Sequence, residues 1–474
     1  MCRRRLLYFY ASIPCILLCA FFHKAEGRPL TGADFRPDPR ARALLTDLFT
    51  AATAAVDPAP ALAARLDRLD RAANRKRWIL ALGKAASPMA RAAVETLAAW
   101  GLEPAGGLVV TPAEAAPPHP ALSVVAGDHP EPGPGSLTAA QALATAAGRV
   151  EKDDEVWVLL SGGATSLLGA PVAEVTPAEL TALYALLLGS GLDITAMNRI
   201  RKRVSRWGGG RLARALAPAR VRGFVVSDVI GDDLASIGSG PCVPDPATAG
   251  DVRRALESAG LWDRVAPSIR RVIAATEAGT MPETPKPGDE AFARVTLELI
   301  ASNRLALEAA AKRAAALGLD PEVAEMPLAG EASATGASVA ALLLQNCGPA
   351  EITQPAHPRR CFIWGGETTV TLGDAPPGLG GRCQELALAA SRDLADAPAS
   401  VVLLAAGTDG RDGPTDAAGA IVDGGTWHAV VSGGRDPTRD LVAHDAYRAL
   451  DAANALLKVG LTGTNVMDVV IGLV

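Results

Sequence analysis

Short hydrophobic runs alternate with stretches of helical periodicity through the first half of the chain. An amphipathic helix is predicted over residues 40–75, with Leu44, Leu45 and Leu48 on one face. The runs after it predict buried strands, and they are WILALG (78–83), GGLVV (106–110), LSVVAG (122–127), VWVLL (156–160) and GFVVSD (223–228). This alternation predicts an α/β fold with a Rossmann-like, mostly parallel sheet and helices on both faces. Ligands bind such sheets at the carboxyl ends of the strands.

A proline-rich stretch at residues 277–290 interrupts this pattern, and we interpret it as a linker. The runs beyond it predict a second, smaller α/β unit, and they are VTLELIAS (295–302), CFIWGGETTVTL (361–372) and SVVLLAAGTDG (400–410). We therefore divide the chain into an extension of residues 1–36, an N-terminal α/β domain of residues 37–285 and a C-terminal α/β domain of residues 291–474.

The first 35 residues have a different character from the rest of the chain. Three arginines at positions 3–5 precede an apolar run at positions 6–22, which is the outline of a signal peptide or a membrane anchor. No small-x-small cleavage site follows the run, so a start site placed too far upstream is the alternative. We favour a cytoplasmic protein and keep membrane attachment as the other interpretation.

Composition excludes several classes of protein. With 474 residues, of which 49% are hydrophobic, the chain can bury a large core, and its net charge of −5 argues against a nucleic-acid surface. The seven cysteines form no CxxC pair and the six histidines lack metal-site spacing, so neither a disulfide framework nor a zinc site is expected.

Two glycine-rich blocks follow the first and fourth predicted strands. Lys84 stands in GKAAS where a strand meets a helix, and a cation at a helix N-terminus is unfavourable unless an anion binds there. The block SGGATS offers backbone amides and hydroxyls to an anionic ligand. Its residues that we assign to binding substrate or nucleotide phosphate are Ser161, Gly162, Gly163, Thr165 and Ser166.

Acidic and basic residues surround the fifth predicted strand. Asp228 ends the strand, where a carboxylate can orient a substrate hydroxyl or hold Mg²⁺, whereas Asp232 and Asp233 also fit the capping of a helix. Arg201 and Lys202 lie on a basic helix as candidate anion contacts, although a solvated face is the alternative.

The second half repeats this association of glycine with charge. Arg382 follows paired glycines, and a guanidinium beside flexible backbone suits the bidentate capture of carboxylate or phosphate, with Glu367 and Glu385 as alternative ion-pair partners. The block AAGTDGRDGPTD resembles a cation-binding loop only loosely. The further ligand contacts that we assign are Gly366, Glu367, Gly381 and Thr408, and the candidate metal ligands are Asp228, Asp409 and Asp412.

Taken together, these blocks resemble the type II glycerate 2-kinases of the MOFRL family, some members of which carry the older name hydroxypyruvate reductase. The resemblance covers residues 41–474 and includes GDHPEPG, RKRVSRWGGGRLA, GGRCQELALA and TGTNVMDV. It implies two α/β domains with the active site in the cleft between them. It also implies the ATP- and Mg²⁺-dependent phosphorylation of D-glycerate at the 2-hydroxyl, with Lys84, Asp228 and Arg382 as catalytic residues.

Three positions depart from the family pattern. Cys383 replaces an asparagine after the arginine of the GGR block, Gly208 replaces a lysine, and Met467 replaces a polar residue near the C-terminus. These departures bear on the substrate and the rate more than on the class of reaction.

Two other functions remain as alternatives. An NAD(P)H-dependent hydroxypyruvate reductase requires a GxGxxG turn between a strand and a helix, and the nearest candidate, around Gly133 and Gly135, lies in a proline-rich segment. A non-catalytic metabolite-binding protein would use the same cleft. The oligomeric state stays open, with a homodimer as one possibility.

Overall fold

The computed structural model describes residues 39–71, 75–347, 358–373, 376–395, 397–398 and 400–474. The signal-like run at positions 6–22 lies outside these residues. Among the residues that the structure does describe, no helix has the length and apolar character needed to cross a bilayer.

The N-terminal half is built on a six-stranded parallel sheet. Its strands are β1 (Arg77–Leu82), β2 (Gly106–Thr111), β3 (Leu122–Ala126), β4 (Glu155–Leu160), β5 (Arg220–Val226) and β6 (Val295–Ala301). Every residue of β1 and β4 is buried, because helices cover both faces of the sheet. The spatial order β3-β2-β1-β4-β5-β6 is that of a doubly wound Rossmann-type sheet. The predicted fold class is therefore confirmed.

Ten helices are described in this half, and proline or a capping side chain starts several of them. Thr176 and Glu179, for example, form a reciprocal capping box at the start of α6. The helices are α1 (Pro39–Ala55), α2 (Pro58–Leu66), α3 (Ala86–Ala99), α4 (Pro134–Ala147), α5 (Ala164–Leu167), α6 (Pro177–Leu188), α7 (Ile194–Val204), α8 (Arg211–Leu216), α9 (Ala249–Ser258) and α10 (Pro267–Glu277). The single helix predicted over residues 40–75 is thus two helices, α1 and α2.

Helices α6, α7, α9 and α10 form a helical layer with a hydrophobic core of its own. Leu183, Ile200, Val252 and Ile269 are among its buried residues. This layer was not predicted, because its short amphipathic helices were read only as connections between strands.

The assignment of VTLELIAS to the second unit was wrong. This run is β6, which pairs in parallel with β5 from Val221 opposite Val295 onwards. The proline-rich stretch before it is packed rather than a free linker, since the hydroxyl of buried Thr284 donates to Asp245 and Glu283 pairs with Arg203. The chain therefore leaves the first sheet only after Ala301.

The C-terminal half contains a mixed six-stranded sheet in the order β11-β10-β9-β12-β8-β7. Its strands are β7 (Asp320–Val323), β8 (Arg360–Gly366), β9 (Val402–Gly407), β10 (Gly419–Asp423), β11 (Leu456–Leu457) and β12 (Asp468–Leu473). Its helices are α11 (Asn303–Ala316), α12 (Ala332–Gln345), α13 (Arg382–Asp393), α14 (Thr426–Ser432), α15 (Pro437–Val442) and α16 (Ala446–Ala452). Only β7 and β8 pair in parallel, and β12 runs antiparallel to both β8 and β9.

One hydrophobic core joins the two halves. Leu45 and Phe49 of α1 belong to the same buried cluster as Ile363 of β8 and Ile471 of β12. Helix α1 packs along α11, and Arg42 donates from Nη1 to the carbonyl oxygen of Asn454 at 3.1 Å. The N-terminal helix therefore ties the second sheet to the first.

Candidate active site

The loops after β1 and β4 meet at the switch point of the first sheet, where ligands bind doubly wound folds. The backbone N–H of Lys84 donates to Gly162 O at 2.9 Å, and the N–H of Ala85 donates to Ser161 Oγ at 2.9 Å. Ser161 is only 2% exposed, and the hydrogen bond that its hydroxyl accepts holds the two loops together. The Lys84 side chain itself is exposed.

Asp228 packs directly against the glycine-rich loop. A Cβ on Gly162 would collide with Asp228 Oδ2, so glycine is required here to admit the carboxylate. Desolvation raises the pKa of Asp228, and the positive charge of Lys84 opposes this shift. The structure therefore brings Lys84 and Asp228 together, as the sequence predicted.

Gly163 lies directly beneath the side chains of His129 and Lys84. Its φ of +84° is in the left-handed region, and a Cβ would stand 3.1 Å from the His129 ring and 3.3 Å from Cγ of Lys84. Desolvation and the Lys84 charge lower the pKa of His129. His129 thus joins the site as an uncharged neighbour of Lys84 at neutral pH.

The two hydroxyls at the end of this loop have protein partners. Thr165 Oγ1 lies 3.0 Å from Ser239 Oγ and remains partly accessible. The buried hydroxyl of Ser166 donates to the carbonyl oxygen of Gly163 at 3.1 Å. Ser166 therefore stabilises the turn, and Thr165 is the hydroxyl of this loop that a ligand can reach.

Arg382 stands at the start of α13 between two carboxylates. Its Nε and Nη2 donate to the two oxygens of Asp468 at 2.6 and 2.8 Å, and its Nη1 lies 3.0 Å from Glu367 Oε1. Burial works against the charged form of Arg382, but the hydrogen bonds and charge of Asp468 outweigh it, so the net pKa is raised. The guanidinium is held as a fixed cation.

Asp468 is a site residue that the sequence analysis missed. It is 5% exposed and opens β12, where it pairs in register with Gly366 at the end of β8 and Gly407 at the end of β9. Because β12 is antiparallel to both strands, its first residue lies at the edge where the other two finish. In the sequence, the aspartate of the TNVMD block was the feature that could have indicated this site residue.

Electrostatic coupling across the cleft links the two sets of residues. Desolvation raises the pKa of Glu367, and the charges of Arg382, Asp468, Asp228 and Lys84 all act on it. Side chains from the ends of β1 and β5 therefore face side chains from the second sheet. The three residues assigned to catalysis converge in one cleft.

Asp412 and Gly381 have structural roles that the sequence analysis did not anticipate. Asp412 is buried and accepts the N–H groups of Cys383 and Gln384 at 3.2 and 2.8 Å, so it caps α13. A Cβ on Gly381 would collide with this carboxylate. Burial raises the pKa of Asp412 to about 7. These contacts account for the positions of both residues, and the assignments of Asp412 to a metal and of Gly381 to phosphate stay predictions.

Thr408 and Gly366 are likewise explained by packing. The hydroxyl of Thr408 donates to Met467 O at 2.6 Å and accepts the N–H of Val466 at 2.8 Å, and because the residue is fully buried a ligand does not reach it. Gly366 has a φ of +137° and no room for a Cβ beside the backbone of Leu328. The structure therefore gives Thr408 a structural role, and the assignment of Gly366 as a ligand contact stays a prediction.

The remaining acidic candidates are dispersed. Asp409 is half-buried and accepts the N–H of Arg411 at 3.0 Å, whereas Asp416 lies on the surface beside Tyr447. Glu385 pairs with His444 at 2.9 Å and not with Arg382. Within the part of the chain that the structure describes, no group of three or more His, Cys, Asp or Glu side chains could hold a metal ion.

The two basic candidates of α7 lie among protein groups of the helical layer. The guanidinium of Arg201 stacks over Tyr184 of α6 at 4.9 Å. Lys202 is 7% exposed; burial lowers its pKa, and the charges of Asp245 and Asp233 raise it. Stacking on Tyr184 accounts for the position of Arg201, and its assignment as an anion contact stays a prediction. Lys202 stays a prediction.

A cavity of about 830 Å³ opens beside Arg382. Its lining includes Glu367, Glu385 and His444 from the second half and Ile230 from the loop after β5. Together with the charged cluster, it defines a two-domain α/β enzyme whose site lies between a doubly wound sheet and a mixed sheet.

Comparisons with known proteins identify the family. A domain of unknown function (DUF4147) matches residues 44–274, and the MOFRL family matches residues 360–468. A glycerate 2-kinase of Pyrococcus horikoshii is 37% identical over 399 residues, which span 84% of this chain and 87% of the relative. A putative hydroxypyruvate reductase of Agrobacterium vitis is 36% identical over 91% of this chain and 94% of its own length.

A solved structure gives the same result. The crystal structure of the glycerate kinase from Thermotoga maritima matches with a TM-score of 0.80 and 35% identity, and the match covers 92% of this chain and all of that one. The chain belongs to the family of glycerate 2-kinases that carry a MOFRL domain. The resemblance stated from the sequence motifs is confirmed.

Proposed function

We propose that this protein transfers the terminal phosphoryl group of ATP to the 2-hydroxyl of D-glycerate and releases 2-phosphoglycerate. The Pyrococcus horikoshii relative and the Thermotoga maritima structure, which each match most of its length, are named glycerate 2-kinase and glycerate kinase, which supports a phosphotransferase acting on an alcohol group. The observation that carries the proposal is the convergence of Lys84, Asp228 and Arg382 in one cleft.

Asp228 is the group that accepts the proton of the attacking hydroxyl. Desolvation raises its pKa, which strengthens it as a base while Lys84 limits the shift. A base with a raised pKa takes up a proton more readily in the transition state.

Lys84 and Arg382 supply the positive charge. Phosphoryl transfer asks a protein mainly for positioning and charge stabilisation, and the charges of both cations act on Glu367 in the cleft. The bidentate pairing with Asp468 fixes the plane of the Arg382 guanidinium before any ligand arrives. We propose direct in-line transfer without a covalent enzyme intermediate.

Mg²⁺ fits this donor set as an ion that binds together with the nucleotide. Magnesium takes oxygen ligands, commonly one or two protein carboxylates plus substrate phosphates, and half-buried Asp228 would hold it. Asp409 stays a weaker candidate, since one of its oxygens already accepts a backbone N–H. When bound, the ion neutralises phosphate charge.

The reductase alternative is not supported by the turn that would bind a dinucleotide. The first βα turn of the doubly wound sheet reads Gly83-Lys84-Ala85-Ala86, without the second and third glycines of the GxGxxG fingerprint.

The test is ³¹P NMR of the purified protein with D-glycerate, ATP and Mg²⁺. A new phosphomonoester resonance that matches authentic 2-phosphoglycerate is expected, and one that matches 3-phosphoglycerate would contradict the regiochemistry. Oxidation of NADH with hydroxypyruvate in the absence of ATP would favour the reductase, and calorimetric binding without turnover would favour a metabolite sensor. A cytoplasmic location is part of the proposal, and light scattering would decide whether the protein forms a homodimer.

A further inference from the structure

The cavity beside Arg382 is much larger than a three-carbon acid requires. Its volume of about 830 Å³ falls in the range of about 300–1,000 Å³ typical of pockets for cofactor- or drug-sized ligands. The charged pair Arg382 and Glu367 forms part of its lining, and Val370, Leu372 and Pro414 give it apolar walls. A ligand with a phosphate end and a flat apolar end suits this lining.

A buried polar pair lies within this lining. Nδ1 of His444 lies 2.9 Å from Oε2 of Glu385, whose other oxygen accepts the Ser333 hydroxyl at 3.5 Å. Glu385 is 3% exposed, and a carboxylate at this distance accepts the N–H of Nδ1. Nε2 is therefore the ring nitrogen that is left to contact a ligand in the cavity.

The backbone of His444 closes helix α15. Its φ of +52° lies in the left-handed region, which histidine adopts more readily than most residues and which commonly ends a helix. The turn that holds it is anchored, since the next residue, buried Asp445, accepts the N–H of Leu379 at 2.9 Å and Nη2 of Arg435 at 2.7 Å. The position of the imidazole at the cavity is therefore fixed by the fold.

We infer that this cavity binds the nucleoside of the phosphoryl donor and that Nε2 of His444 accepts a hydrogen bond from the 6-amino group of adenine. The inference rests on the proposed kinase function. Adenine presents a donor at this position, whereas guanine presents the O6 acceptor, so one protein acceptor favours ATP over GTP. A site that pairs a ligand N–H discriminates strongly against an analogue that leaves it unpaired.

The first experiment fills the cavity and measures binding without turnover. Leu372 is 55% exposed at the cavity wall, and Leu188 is 69% exposed at the end of α6, away from it. We expect Leu372→Trp to weaken Mg²⁺–ADP binding at least tenfold by calorimetry and to raise KM for ATP equally. KM for D-glycerate stays within twofold, and the matched control Leu188→Trp leaves both constants unchanged.

The second experiment replaces His444, the residue that we infer to recognise the adenine base. His444→Asn is suitable because asparagine tolerates the left-handed region, so the turn is kept while the ring is removed. We expect the ratio of kcat/KM for ATP to that for GTP to fall at least tenfold. Circular dichroism and the thermal midpoint verify folding of each variant.

The outcomes separate this inference from the proposed function. A rise in KM for D-glycerate with unchanged ADP affinity would make the cavity the acceptor site and overturn the inference, as would an unchanged ATP:GTP ratio in His444→Asn. If no phosphoglycerate forms but ADP affinity still follows the cavity variants, the nucleoside site stands and the assigned reaction fails.

Discussion

Asp468→Asn is the substitution that tests most directly how the cleft holds its arginine. The side chain keeps its size but loses the charge and one of the two acceptors that receive Nε and Nη2 of Arg382 at 2.6 and 2.8 Å. Removing one partner of a buried ion pair costs about 3–5 kcal/mol. Because Arg382 is 34% exposed and keeps Glu367 at 3.0 Å, we expect a loss of about 2 kcal/mol in the free energy of unfolding.

The effect on catalysis should exceed the effect on folding. A guanidinium that is no longer held in plane loses its alignment with the transferring phosphoryl group, and removing one aligned donor from such a site costs about 10²–10³-fold in rate. We expect kcat/KM for D-glycerate to fall about 10²-fold, with most of the loss in kcat. A coupled ADP-release assay and urea unfolding measure the two quantities.

Glu155→Gln provides the matched control. Glu155 is 2% exposed and lies 3.3 Å from both Arg75 and Arg222, but it opens β4 at the sheet edge opposite the cleft. We expect a comparable loss of stability with kcat/KM within twofold of the parent protein. If Asp468→Asn behaved like this control, with stability reduced and turnover retained, the assigned positioning role would be refuted.

Three further substitutions test other parts of the site. Lys84→Met should lower kcat/KM at least 10²-fold. Because the substitution removes the charge that opposes the raised pKa of Asp228, the acid limb of the kcat/KM–pH profile should also move to higher pH. An unmoved acid limb would contradict the interaction between Lys84 and Asp228. Gly162→Ala should displace Asp228 and reduce kcat at least tenfold. Gly189→Ala, whose Cβ would make only an ordinary contact with the carbonyl oxygen of Ala185 at 3.8 Å, should have little effect; equal activities would exclude the steric argument. Asp412 has a pKa of about 7 in the folded protein against 3.8 as its ordinary value, so the native state binds more protons between these limits. The free energy of unfolding should therefore fall as pH rises from about 4 to 7, and Asp412→Asn should lose this dependence in urea titrations at each pH; parallel curves for the two proteins would disprove it.

The sequence predicted the parts of the site that follow parallel strands. Lys84 and Asp228 could be placed because buried runs in a doubly wound sheet end at one edge, and the residues after them face the same crevice. Arg382 was found through its paired glycines, and Glu367 as one of two alternative partners.

The parts that could not be predicted depend on pairing between distant segments. Asp468 reaches the cleft only because β12 is antiparallel to its neighbours, and no periodicity within the strand reveals its direction. Strand β6 was misplaced because the proline-rich segment before it, which Glu283 bonds to Arg203 of α7 and to the N–H of Ala249 of α9, has the same composition as a linker. The glycine at 381 admits a capping carboxylate, which a single sequence cannot distinguish from a glycine that admits a ligand.

Helix α1 constrains how the enzyme can release its product. It comes from the N-terminal part of the sequence yet packs on α11, and its Leu45 and Phe49 belong to a hydrophobic core that both sheets share, so a wide hinge rotation would expose apolar side chains to water. Small sliding of α1 along α11 avoids that exposure, and shear of this kind moves packed helices by only a little at a time. This architecture therefore favours product release through a small shear movement that widens the cleft without separating the two halves of the protein.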